Sequence, residues 1–205
     1  EIPVANCTRA HEVEINGDWL FIGNPIAAKV LIYSLSDLAP NQNFKGPNGA
    51  TPKTILESTS SEPEWFGSSL HCSGTHLFVG VEDGRVFNSG EWLSCGYVNV
   101  YELVSDTWTH THNRQLTPWD LSGYQGDSSY GTEEADIKFG SSVFHKGDYV
   151  VVGAPFAYTT DYDRKEGAIY IFKLTTTSWN YVYKIEYNEN FVGNLDDINE
   201  VGSFE

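Results

Sequence analysis

A chain of 205 residues with 28 acidic against 12 basic side chains has a formal net charge of −16. That argues against a nucleic acid or an anionic membrane as partner, since both need a basic surface, and it suits solubility, cations or a basic partner. The length allows one or two domains, no stretch approaches the ~20 apolar residues of a membrane-crossing helix, and no signal-type segment opens the chain.

Asn6-Cys7-Thr8 is the one N-glycosylation sequon, in a segment expected outside the strands, so Asn6 is the candidate acceptor. The run HEVEINGDWLFIGNP places Asn16-Gly17-Asp18 between two apolar stretches. This is a hairpin signal, because both central positions of such a turn favour φ > 0. Gly23 follows, where a strand ends or another backbone approaches. After a loop, Val30-Leu31-Ile32-Tyr33 reads as a further strand, and the Ser/Thr-rich residues 54–61 read as a polar loop.

The pattern then returns. FGSSLHCSGTHLFVGV begins at Phe66, with Ser73-Gly74-Thr75 at the turn and Gly80 at the strand end. A long loop over 81–95 leads to Val98-Asn99-Val100-Tyr101, and Trp108 opens a fourth strand. The segment 115–137, with Trp119, Tyr124 and Tyr130, is richest in contact-type side chains; it reads as a binding loop or as a linker between units. FGSSVFHKGDYVVVGAP from Phe139 is the third and clearest copy, with Gly147-Asp148 in its turn and Gly153 at the strand end. The loop 154–167 follows, then Ile169-Tyr170-Ile171-Phe172 and a strand opened by Trp179. Strict alternation would put Trp179, Tyr181, Tyr183, Ile185 and Tyr187 on one face, either as packing between units or as an exposed aromatic ridge. Val201-Gly202-Ser203-Phe204 looks like the opening of a fourth copy. Anchored on Gly67, Gly140 and Gly202, the spacings are 73 and 62 residues. A period of that length, built from four short strands, predicts an all-β array of blade-like sheets: 1–62, 63–136, 137–200 and the start of another at 201–205.

These residues resemble the FG-GAP repeats of integrin-α-type β-propellers and their bacterial and protist relatives. The likeness rests on Phe139-Gly140, Val152-Gly153-Ala154-Pro155, Gly167-Ala168-Ile169-Tyr170-Ile171-Phe172 and Trp179. The second copy keeps Phe66-Gly67 and Val79-Gly80 but has Val81-Glu82 in place of Ala154-Pro155. The first keeps its hairpin, Gly23, Pro25 and the third strand. The resemblance implies a segment of about three blades from a ring of about seven. The absence of Met and the start at Glu1 fit a processed or excerpted piece, and three blades leave both end faces to be covered by more chain or by other subunits. Several members of the family carry a D-x-D-x-D-G calcium loop between strands one and two; the turns here are too short for it.

Within the blade frame, Cys72 sits at the turn end and Cys95 at the opposite end, farther apart than the roughly 7 Å between Cα atoms that a disulfide tolerates. Cys7 lies at the same end as Cys95, so a Cys7–Cys95 bridge with Cys72 unpaired is expected, and three reduced thiols are the alternative. Asp161, Asp163 and Glu166 form the candidate cation loop, although Lys165 and Glu166 stand where a calcium loop has a ligand and a glycine. His110 and His112 share a strand face without an evident third zinc ligand. No cofactor is expected, with calcium as the sole candidate.

No nucleophile elbow, H-E-x-x-H or phosphate-cradling glycine loop is present. The expected function is a secreted or cell-surface interaction module, non-catalytic, serving adhesion, assembly or matrix structure through a protein or glycan partner on its loops. A carbohydrate-binding lectin of the same fold is the alternative, and a glycosidase-type carboxylate pair is the enzymatic one.

Overall fold

The computed structural model describes residues 11–37, 51–60, 64–88, 90–118, 136–157, 165–176 and 178–186. The first blade comprises β1 (Glu12–Asn16), β2 (Trp19–Asn24), β3 (Lys29–Ser34) and β4 (Thr54–Glu57), hydrogen-bonded in that order. The second comprises β5 (Phe66–Ser73), β6 (His76–Val81), β9 (Tyr97–Val104) and β10 (Thr107–Leu116). A separate hairpin, β7 (Arg85–Asn88) with β8 (Glu91–Ser94), is inserted between its middle strands. The third comprises β11 (Ser142–Lys146), β12 (Tyr149–Ala154), β13 (Ala168–Leu174) and β14 (Trp179–Glu186). Every pairing is antiparallel.

The first strands stand side by side: β5 packs on β1 and β2, and β11 packs on β5 and β6. They are also in step, because Asn16 faces Trp19, Ser73 faces His76 and Lys146 faces Tyr149 across equivalent two-residue turns. Gly17, Gly74 and Gly147 lead these turns at φ near +60, while Asp18, Thr75 and Asp148 do not share the positive φ. The turns therefore need glycine at one position only. A turn with both central residues left-handed occurs instead at Ser105-Asp106, joining β9 to β10.

The FG motif is a turn. Ser68 N donates to Trp65 O (3.1 Å) and Ser141 N to Lys138 O (3.2 Å). The third residue of each turn, Gly67 or Gly140, has φ near +88, a type II geometry that favours glycine. This turn seats each blade on the one before it. A Cβ on Gly23 would overlap the Gly67 carbonyl oxygen, and a Cβ on Gly80 would overlap that of Gly140. Backbone meets backbone, so the two sheets approach closely and the apolar side chains between them lose contact with water.

Two seams result. Between the first and second blades, Phe21, Val30 and Ile32 meet Leu77, Val79 and Trp108. Between the second and third, Phe78, Val98 and Val100 meet Val150, Val152 and Trp179. Phe21 against Trp108 (5.3 Å, 79°) and Phe78 against Trp179 (5.5 Å, 77°) are the same edge-to-face pair at equivalent positions.

Three further sequence expectations change. Thr54–Glu57 is a strand and not part of a polar loop, because Leu56 is buried in the first seam while Thr54 and Ile55 pair with β3. The 81–95 loop contains the β7–β8 hairpin. The aromatic alternation of β14 is broken by a bulge between the pairs Ile171–Tyr183 and Phe172–Tyr181. The extra residue flips the face. Trp179 and Tyr181 point into the second seam, whereas Tyr183 and Ile185 share the opposite face with Ile171 and Ile169. Tyr187 lies outside the described residues.

The end faces also differ from each other. On the first blade, Ile22, Leu31 and Tyr33 are buried on the face turned away from the second blade, with Val13, Ile15 and Ile55 exposed around them. On the third blade the outward-facing Phe144, Ile169, Tyr183 and Ile185 are exposed, and Val151 and Ile171 between them are half-buried.

Candidate functional site: an aromatic hairpin at the loop end of the blades

The strand-end loops of the second and third blades converge around Glu64. Its carboxylate is buried, accepts from Tyr97 Oη at 2.8 Å and lies 3.4 Å from the amide of Arg85, which donates to it. Burial, and then the Glu64 hydrogen bond and charge, raise the Tyr97 pKa, so the phenol keeps its proton and donates. Beside this pair, Lys138 bridges Asp83 and Asp136, the latter at 3.3 Å. Burial opposes the Lys138 charge, yet the two carboxylates outweigh it and raise its pKa. Glu82, next to them, is raised by burial despite the nearby lysine.

From this acidic base rises the β7–β8 hairpin. Cross-strand pairs alternate in direction: Val86 with Leu93 packs down against the blade cores, and Phe87 with Trp92 faces out. The outward rings lie 5.3 Å apart at 56°, yet Phe87 is 59% and Trp92 65% exposed. Anchoring by Val86 and Leu93, and by Ser94 Oγ donating to Asp83 O at 3.4 Å, holds a two-strand ribbon that would be marginal alone. Trp65, left-handed at φ 58 and partly exposed, stands edge-on to His11 (6.5 Å) at the same end. Sequence reasoning missed Phe87 and Trp92. The signal was the alternation in Val86-Phe87 and Trp92-Leu93 around Gly90, too short to stand out as strands.

The structure disperses most of the residues singled out from sequence. Trp119, Tyr124, Tyr130, Asp161, Asp163, Asn6 and Cys7 lie outside the described residues. Glu166 is exposed just before β13. Trp179 and Tyr181 belong to the second seam and Tyr183 to the outward face of the third blade, so the three do not form one ridge. His110 packs on Tyr101 at 5.1 Å, and the side chain of His112 lies outside the described residues. Among the described residues no three potential metal ligands come together.

Cys95 is fully buried, with Sγ 3.4 Å from Gly96 O. Cys72 is a free, buried thiol; burial pushes its pKa to about 11 although Asn16 Nδ2 donates to its sulfur at 3.2 Å. The register places the two at opposite ends of the blade, as expected, since Ser73 pairs with His76 while Val81 pairs with Tyr97.

Blade-like four-stranded sheets, joined first strand to first strand and sealed by FG turns, define a β-propeller segment. Residues 133–172 match the FG-GAP repeat family, so the chain carries an FG-GAP repeat in its third blade. No curated protein matches the chain. Among solved structures it is similar to an S. cerevisiae assembly described as Dbp5 bound to Nup159, Gle1, IP6 and ADP (12% identity, TM-score 0.45, covering 82% of this chain and 35% of that one). It is similar also to the N-terminal domain of Nup159 (12%, TM-score 0.42, 82% and 35%) and to the computationally designed protein Ika4 (11%, TM-score 0.37, 80% and 64%). The chain thus spans about a third of the length of the first of these.

Proposed function

We propose that this propeller segment is a non-catalytic interaction module, secreted or displayed at a cell surface, that engages a partner through the Phe87–Trp92 hairpin. The observation that carries the reading is an aromatic pair held out to solvent by a hairpin whose other face is anchored in the core. Paired aromatics supply large contact area with little side-chain entropy to lose, and such residues dominate binding energetics when a partner covers them. The acids beneath, buried Glu64 and half-buried Asp83, support this reading over catalysis: Glu64 is occupied by Tyr97 and the Arg85 amide, and Asp83 by Lys138. Adhesion, assembly or matrix structure are the roles such a module serves. The lectin reading draws on the same pair, since an aromatic face also stacks on a sugar ring.

A photoreactive benzoylphenylalanine at position 87 should give one discrete protein adduct with extracellular material, lost on Trp92→Ala. Selective retention of one sugar class on a glycan array, lost in the Phe87→Ala/Trp92→Ala double variant, would transfer the site to the lectin reading. Absence of both signals would sink the assignment of this hairpin as a binding site.

A further inference from the structure

The three equivalent turns that join first to second strands differ in one chemical respect. Gly17, Gly74 and Gly147 lead them, and the residues just before are Asn16, Ser73 and Lys146. Of these three, Asn16 alone carries a side-chain carbonyl carbon that the next backbone nitrogen can attack. Gly17 is exposed, and a Cβ built on it would meet nothing within 4 Å, so the turn is open to solvent.

Asn16 also ties the first blade to the second at this end. Its Nδ2 donates to Cys72 Sγ at 3.2 Å and to Gly74 O at 3.1 Å. The Gly74 carbonyl can only accept, so the amide nitrogen, and not the amide oxygen, faces the second blade. Glu14, on the same face of β1, already brings a carboxylate within 3.4 Å of the Cys72 amide. A negative charge at position 16 would stand against a carbonyl oxygen, a neutral thiol and that carboxylate.

We propose that Asn16-Gly17 is a deamidation site, and that its conversion releases the first blade from the second at their inner ends. The Gly17 nitrogen gives its proton to solvent base and bonds to Asn16 Cγ, and the side-chain nitrogen leaves as ammonia. Water then opens the five-membered imide. Attack at the former side-chain carbonyl gives aspartate. Attack at the backbone carbonyl gives isoaspartate, whose main chain runs through Cβ. One water is consumed and one ammonia released, with no oxidant or cofactor. Aspartate replaces two donated hydrogen bonds by an acceptor facing an acceptor. Isoaspartate adds an atom to the main chain where the Asn16–Trp19 pair closes a two-residue turn, and that turn fixes the register of β1 on β2. Attack requires the amide to turn away from Cys72 and Gly74, so the rate follows opening of the seam and the change is slow and one-way.

Ageing the full chain at mildly alkaline pH, followed by peptide mass mapping, should convert Asn16 to aspartate and isoaspartate, more slowly than in urea. Aged chain and a fresh Asn16→Asp variant should each lose roughly 2–4 °C of Tm. In both, Cys72 should alkylate about tenfold faster than in fresh wild type. Asn16→Ser, which cannot cyclise, should change in neither respect on ageing. Asn16 still intact in native chain once the unfolded chain has fully converted would overturn the site. An Asn16→Asp variant with wild-type Tm and slow Cys72 alkylation would overturn the release of the blade. Equal ageing of Asn16→Ser and wild type would assign the change to another residue and overturn both.

Discussion

The two seams share a backbone joint and an edge-to-face Phe–Trp pair, but at their inner ends the filling differs. At equivalent places on the first strands stand Cys72 in the first seam and His145 in the second. The thiol has Glu14 and Asn16 around it: the Cys72 amide lies 3.4 Å from the Glu14 carboxylate, which also pairs with His71 at 3.4 Å. The imidazole lies among Phe78 (4.9 Å), Trp179 (5.3 Å) and His76 (5.9 Å), with its Nε2 2.7 Å from Gly147 O. Burial acts on both by disfavouring the charged form, so it raises the Cys72 pKa and lowers that of His145. The joint is common because it is backbone; the chemistry beside it is free to vary because only volume and neutrality are required there.

Breaking the joint should have the largest effect and should be alike in both seams. Gly23→Val and Gly80→Val each force a side chain into a carbonyl of the next blade, and we expect losses of about 4 kcal/mol or more, read by urea denaturation. A loss below about 1 kcal/mol at either site would mean that the sheets can part without cost, against the seam geometry.

The second test separates the seams by pH. His145 is held neutral by burial first, with His76 and His71 adding repulsion, while the Gly147 carbonyl and Asp148 favour the charge. Its folded pKa lies below the unfolded one, near 6.5, so its contribution is full above that value and is lost as the pH falls toward the folded pKa. Tm should therefore fall between pH 7.5 and 5.5, and His145→Gln should flatten that fall. A Gln variant with the wild-type slope would remove His145 from the account, and the carboxylates would carry the acid sensitivity instead.

The smallest expected effect is chemical. With a pKa near 11 and a buried sulfur, Cys72 should resist alkylation at pH 8 in native chain and react promptly in urea, followed by peptide mass mapping. Rapid native labelling would show the first seam opening at its inner end, which its closed packing contradicts.

Much of the fold follows from the sequence alone. The turn glycines Gly17, Gly74 and Gly147, the FG pairs and the seam tryptophans are set by local demands: a positive φ, a type II turn, a strand of alternating apolar residues. Such demands act over a few residues and recur with the repeat, so one reading of the chain finds them. Tertiary structure alone decided where those elements point. The bulge that turns Tyr183 away from Trp179, the fourth strand at Thr54–Glu57, and the hairpin that lifts Phe87 and Trp92 all depend on pairing across the sheet or packing against a neighbour. A one-residue shift in register moves a side chain to the other face without changing composition, and a short strand gains its stability only from the partner it meets.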